Sequence, residues 1–94
     1  MTITVAVLLW AIPGREADLV AYETRVLGLI PQHGGRVIER ATTTDGDGPL
    51  EIQLIEFPAQ DSVDSYLADA RRTALAADRD AAIARTELYP VDLA

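Results

Sequence analysis

The stretch Ile3-Thr4-Val5-Ala6-Val7-Leu8-Leu9-Trp10-Ala11 decides the architecture. Ile3, Val5, Val7, Leu9 and Ala11 fall on one side of an extended chain; Ala6, Leu8 and Trp10 fall on the other. A strand that is apolar on both sides needs cover on both sides. The run is only about half of the roughly 20 residues that a membrane-spanning helix requires. Met1-Thr2 brings no positive charge ahead of it, so it does not read as a secretory signal. It reads as a buried strand in a cytoplasmic protein.

Working outward, Pro13-Gly14 ends the strand, and Glu16 and Asp18 suit the first turn of a helix by opposing its positive end. Leu19, Tyr22, Val26 and Ile30 recur at helical spacing, widened by Val20 and Leu27, with Glu23, Thr24 and Gln32 assigned to the outer face. Pro31 predicts a kink or a loosened last turn, and Gly34-Gly35 predicts a left-handed stop. Residues 35–42 alternate as Arg36, Ile38, Arg40 against Val37, Glu39, Ala41. Residues 50–57 alternate again, and Asp45-Gly46-Asp47-Gly48-Pro49 between them is a turn cluster, so the pair reads as an antiparallel hairpin.

Beyond Pro58, Asp61 or Ser62 is expected to cap a second helix with Val63, Tyr66, Leu67 and Ala70 on its apolar face. That helix is expected to run on to Ala84 with a bend near residues 69–72. A last strand over 87–93 contains Pro90, which confines it to an edge or an end. The order strand, helix, strand, strand, helix, strand is that of an α+β ferredoxin-like domain spanning 1–94. In that fold one four-stranded antiparallel sheet carries two helices on one face. The other face is left bare, more apolar area than a soluble monomer usually exposes, and a two-fold homodimer burying sheet against sheet is the expected solution.

Composition narrows the chemistry. The 94 residues carry eight basic and fifteen acidic side chains, a formal charge of −7 spread along the chain. This argues against nucleic acid as a partner. All eight basic residues are Arg, and Cys is absent, which excludes disulfides, Cys-ligated metal sites and Lys Schiff bases. No metal and no cofactor is called for. Ser62 and Ser65 lie at a helix start without a Gly-x-Ser-x-Gly elbow, which argues against a serine hydrolase.

His33, the only histidine, is a candidate proton shuttle, or a haem or metal ligand, at a pocket rim. Equally, it suits the negative end of the first helix as a simple cation. Glu56, at a strand end beside Phe57, is a candidate base or ligand-binding carboxylate, or the ion-pair partner of an Arg. Trp10 and Tyr66 are amphipathic aromatics placed to line a small-ligand pocket or to pack a core or interface.

The segment Tyr22-x-x-x-Val26-x-x-x-Ile30-Pro31-x-His33-Gly34-Gly35-Arg36 resembles the helix-to-strand junction of the bacterial domain-of-unknown-function family 1330, of the dimeric α/β barrel superfamily. Glu56-Phe57-Pro58, Tyr66-Leu67 (where the family has Trp-Tyr) and Arg79 extend the resemblance over residues 4–91. Ala70, Arg71 and Arg72 depart from it, standing where the family tends to have Pro, an acidic residue and Tyr. The resemblance implies a dimer with a pocket between sheet and helices in each subunit. It singles out Arg79 as a further site residue. The superfamily includes cofactor-free monooxygenases, lactone isomerases and haem binders, so two functions are carried forward. One is a dimeric binding module for a small apolar or aromatic ligand. The other is a cofactor-independent monooxygenase, isomerase or cyclase in which Trp10 and Tyr66 hold a ring while His33 and Arg79 move a proton and stabilise an oxyanion.

Overall fold

A computed structural model describes residues 2–44 and 46–94. Strand β1 (Ile3–Ala11) is followed by helix α1 (Glu16–Leu27), a 3-10 turn (Ile30–His33), and strands β2 (Arg36–Thr42) and β3 (Glu51–Phe57). Helices α2 (Gln60–Leu67), α3 (Ala70–Thr73) and α4 (Ala76–Ala82) lead into strand β4 (Ile83–Pro90). The sheet has the order β2-β3-β1-β4, with every neighbouring pair antiparallel. This is the expected βαββαβ ferredoxin-like arrangement.

Local chemistry explains where the elements stop. Pro31 has no N–H to give an α-helix, and it sits in the first turn of the 3-10 segment instead, after α1 has ended at Leu27. Gly34 then takes the left-handed conformation, with φ of 78°. Gly35 has a different reason to be glycine: a Cβ there would lie 2.8 Å from both the Glu56 carbonyl oxygen and Ile30 Cγ2. The second half of the chain departs from expectation. The single bent helix expected over residues 61–84 is three short helices, and the break after Leu67 is fixed by Asp69, whose side chain accepts from the Arg71 backbone N–H to cap α3. Helix α2 begins at Gln60 with Ala59 at its N-cap, two residues before Asp61 and three before Ser62, the expected caps. The last strand starts at Ile83 rather than 87. Of the turn cluster between β2 and β3, Asp45 lies outside the described residues.

Register assigns the faces. Val5, Val7 and Leu9 of β1 lie under the helices with Ile55 and Phe57 of β3, and Leu19, Val26 and Ile30 close over them. Ala6, Leu8 and Trp10 point to the opposite face, alongside Ile52 and Leu54 of β3 and Tyr89 of β4. Among the described residues no helix covers that face, and Ile52 and Tyr89 are 37% and 50% exposed.

Strand β2 carries the main correction to the simple alternation. Val37 pairs with Ile55 but Glu39 pairs with Leu54, so Ile38 is the extra residue of a bulge. Arg36 therefore lies on the bare face opposite Glu56, while Arg40 lies on the covered face opposite Gln53.

Candidate functional site

The bulge places Arg40 under α1, where it meets the polar residues of β3. Its Nε and Nη2 both donate to the carboxylate of Glu51, the latter at 3.2 Å, while Nη1 donates to Thr24 Oγ1 at 2.9 Å and Nη2 to the Val20 carbonyl at 3.0 Å. Glu51 is fully buried, and this fork is what makes its burial tolerable. Gln53 Nε2 donates to Glu51 Oε1 at 2.9 Å and to Glu23 Oε1 at 2.8 Å, so one amide joins two buried carboxylates. Only one of the two, Glu51, has a cation. Burial accordingly pushes the Glu23 carboxyl up, reinforced by the nearby Glu51 and opposed by the bond from Gln53.

Glu23 and Gln53 stand at one end of a cavity of about 220 Å³ between the covered face of the sheet and helices α1 to α4. Its walls are mainly apolar, with Val7 and Leu9 in the floor and Val26 and Phe57 to the sides. Polar groups enter from five further positions: Gln60, Tyr66, Arg72, Arg79 and Thr86. Tyr66 donates its hydroxyl to the Val26 carbonyl at 3.1 Å, and burial pushes its phenol up to about 12 against the pull of Arg72. Arg79 Nη2 donates to Thr86 Oγ1 at 3.1 Å. Arg72 is different. Its guanidinium lies 5.2 Å from the Tyr66 ring centre, forms no ion pair with any described residue, and carries a buried Nε that donates to nothing. A buried donor without an acceptor is rare enough in folded proteins to require a reason.

His33 stands behind Tyr66, with the two rings edge to face at 5.9 Å between centres. One ring nitrogen lies 2.6 Å from Ser65 Oγ and the other 2.8 Å from Asp69 Oδ2. Asp69 also takes the Arg71 side chain and backbone N–H, and these bonds, with that of His33, hold its carboxyl well below the usual carboxylate range. An ionised Asp69 only accepts, which puts a proton on His33 Nε2, while Nδ1 shares the other hydrogen bond with the Ser65 hydroxyl. The trio pins the 3-10 turn to the α2–α3 corner, and both ring nitrogens are engaged in doing so.

The residues singled out from sequence thus separate into three places. Tyr66 and Arg79 meet in the cavity, and His33 lies one ring behind it. Trp10 and Glu56 are on the other face of the sheet, Trp10 with the Arg85 guanidinium 4.6 Å over its ring and Glu56 bonded to Arg36 Nε at 3.1 Å. Trp10 also borders an open depression between the Pro13-Gly14 and Gly46–Gly48 turns. Two cavity residues escaped the sequence reading. Glu23 was assigned outward, yet it falls four residues after Leu19 and three before Val26, inside the apolar stripe; that spacing was the signal. Arg72 carried no such signal, because its orientation depends on the break before α3.

No group of three or more His, Cys, Asp or Glu that could hold a metal ion occurs among the described residues, and no described helix is long and apolar enough to cross a membrane.

No family model and no curated protein matches the chain. Solved structures do. A protein of unknown function from Rhodopseudomonas palustris superposes with a TM-score of 0.80 at 16% identity, over 99% of this chain and 82% of its own. A protein from Bacteroides fragilis, described as dimeric, of unknown function and ferredoxin-like, gives 0.74 at 15% identity over 98% and 96%. A Bacteroides thetaiotaomicron protein described as a candidate antibiotic biosynthesis monooxygenase gives 0.76 at 12% identity over 98% and 89%. At these identities the likeness establishes the ferredoxin-like fold.

Proposed function

We propose that this chain forms a homodimer through the bare sheet face and binds, in each subunit, a small, mainly apolar molecule with one acceptor oxygen. The observation that carries the ligand reading is the unpartnered buried Nε of Arg72 in an otherwise apolar cavity. A phenolate, enolate or carboxylate oxygen would complete that donor's hydrogen bonding. The volume of about 220 Å³ lies below the roughly 300–1,000 Å³ of drug-sized pockets, which favours a ligand of one or two rings. Tyr66 supports the ring and Arg79 serves as a second donor. His33 acts through Tyr66 and Asp69, by holding the α2–α3 corner against the cavity, and is not placed to ligate haem iron without losing a bond. Trp10 and Glu56 belong to the dimer interface in this reading. A cytoplasmic location accords with it.

The dimer reading is supported by the apolar Leu8, Ile52, Leu54 and Tyr89 on the bare face and by the dimeric relative of the same fold. A second functional reading, a cofactor-independent monooxygenase, isomerase or cyclase, is favoured by one observation: a carboxylate without a cation of its own, Glu23, opens on the same cavity as Arg72.

A thermal-shift and calorimetric screen of the wild type against phenols, aromatic acids, quinones and haem tests the proposal. Phenols or aromatic acids are expected to raise the melting temperature, and Arg72→Met should weaken the best of them by about tenfold, the worth of one charge-assisted hydrogen bond. A flat response across the panel, or equal binding by Arg72→Met, would overturn it.

A further inference from the structure

Resting on the ligand reading above, we infer that Glu23 is a proton acceptor facing the cavity, and that the molecule bound there carries an acidic C–H next to a carbonyl or equivalent electron sink. The geometry divides the two buried carboxylates by task. Glu51 is saturated: Arg40 forks onto both of its oxygens and Gln53 adds a third bond. Glu23 receives a single side-chain hydrogen bond, at Oε1 from Gln53, and Oε2 has no partner among the described residues. Glu23 lines a mainly apolar cavity together with Arg72, whose Nε lacks an acceptor. A carboxylate oxygen without a hydrogen-bond partner and a donor without an acceptor, on two residues that line one cavity, are the two halves of an enolisation site.

The step balances without any further reagent. The C–H bond of the bound molecule breaks and its proton passes to Glu23 Oε2. The electron pair moves through the α-carbon to the carbonyl oxygen, which becomes an enolate oxygen facing the Arg72 guanidinium. Return of the same proton to a different carbon gives an isomer, so the net change is a 1,3-shift.

The charged and titratable groups around Glu23 suit this role. Glu51 on β3 raises its proton affinity in the same direction as burial, whereas Arg72 on α3 and Arg40 on β2 lower it. Arg40 is already committed to Glu51, and Tyr66 and Gln60 on α2, Arg79 on α4 and Thr86 on β4 complete the polar lining. A carboxyl whose proton affinity is raised by burial is a stronger base than one in water.

The probe is 5-nitrobenzisoxazole, in which loss of the ring C–H proton to a base opens the N–O bond and releases the coloured 2-cyano-4-nitrophenolate. The wild type is expected to accelerate this elimination, with a rate that rises with pH as Glu23 ionises, at a midpoint above that of an ordinary carboxylate. Glu23→Gln should lower kcat by roughly 100-fold or more, the usual worth of a positioned base, while leaving the affinity for added 2-cyano-4-nitrophenol within about threefold. Glu23→Asp, which keeps the carboxylate but withdraws it, should retain an intermediate rate and the same pH midpoint direction. Arg72→Met should chiefly weaken binding of the phenol. Binding of 2-cyano-4-nitrophenol together with a wild-type rate no higher than that of Glu23→Gln would overturn the proton-acceptor role alone. Failure of both compounds to bind in calorimetry would overturn the ligand reading with it.

Discussion

Along β3, Ile52 and Leu54 face outward on the bare side of the sheet, while their neighbours Glu51 and Gln53 are buried beneath α1. On the usual pattern of an antiparallel sheet the apolar set would be covered and the polar set wet. Here the bare side is the greasier one at this end of the sheet, and the covered side holds a carboxylate pair, an amide and an arginine. The difference teaches that burial of a side chain and burial of a function are separate problems. The bare side needs area, and area is non-directional. The covered side needs every donor and acceptor matched, because an unmatched one costs about 1–3 kcal/mol. Among the described residues one buried side-chain atom, Arg72 Nε, goes unmatched, and Glu23 Oε2 makes no side-chain hydrogen bond; both residues line the cavity.

The contrast can be broken from either side. The largest effect is expected from Leu54→Asp, in the middle of the bare face opposite Ala6. An unpaired charge buried between two sheets costs roughly 3–5 kcal/mol, which corresponds to about a thousandfold in dimer dissociation. Light scattering should then report a folded species of 10.2 kDa. A dimer that persists would show that this face is not the interface.

Glu51→Ala comes next, because it leaves Arg40 without its carboxylate and Gln53 without one acceptor. Arg40 retains some solvent contact, so the expected loss is about 2–3 kcal/mol, below the figure for a fully buried pair. Denaturant midpoints at constant slope would measure it.

Glu23→Gln should act in the opposite direction. The Glu23 carboxyl is held above its unfolded value, so its contribution to stability is intact below the unfolded value and is lost as pH rises through the folded one. Replacing it with the neutral amide should therefore flatten stability against pH above about 4.3, the ordinary value for Glu. Melting curves between pH 4 and pH 8 that stay parallel to wild type would contradict the burial of this carboxyl.

The smallest effect is expected at the corner behind the cavity. Asp69 is held below its unfolded value by Arg71 and His33, so its contribution is present above about 3.9 and fades as pH falls toward the folded value. Asp69→Asn should thus be less stable than wild type at neutral pH and converge with it in acid. A deficit that is independent of pH would show that the Asp69 cap of α3, rather than its charge, is what matters.

The fold was legible because its signals are local. Pro13-Gly14, Gly34-Gly35 and Pro58 mark the ends of elements, and two-sided apolarity of residues 3–11 identifies the central strand. The site was legible only in part, since its polar residues sit where a pairing register puts them. Trp10 reads as a pocket aromatic by type, yet it is one residue out of phase with Leu9 and so points to the other face. Arg36 and Arg40 share a phase in sequence and end on opposite sides. Tyr66 and Arg79 come from helices whose breaks, at residues 68–69 and 74–75, decide where those side chains arrive.

The extra residue in β2 has a consequence for how this chain tolerates change. Substituting Ile38 alters one side chain. Deleting it would leave an unbulged strand with the same partners, Glu39 opposite Leu54 and Arg40 opposite Gln53, so no later residue of β2 would change face. Ironing out the bulge with Ile38 retained would instead turn every later residue over, carrying Arg40 out to the bare face and Ala41 in beneath α1. Glu51 would then be buried with no cation. Shortening the strand at Ile38, or lengthening the Gly46–Gly48 turn a few residues away, leaves both faces as they are.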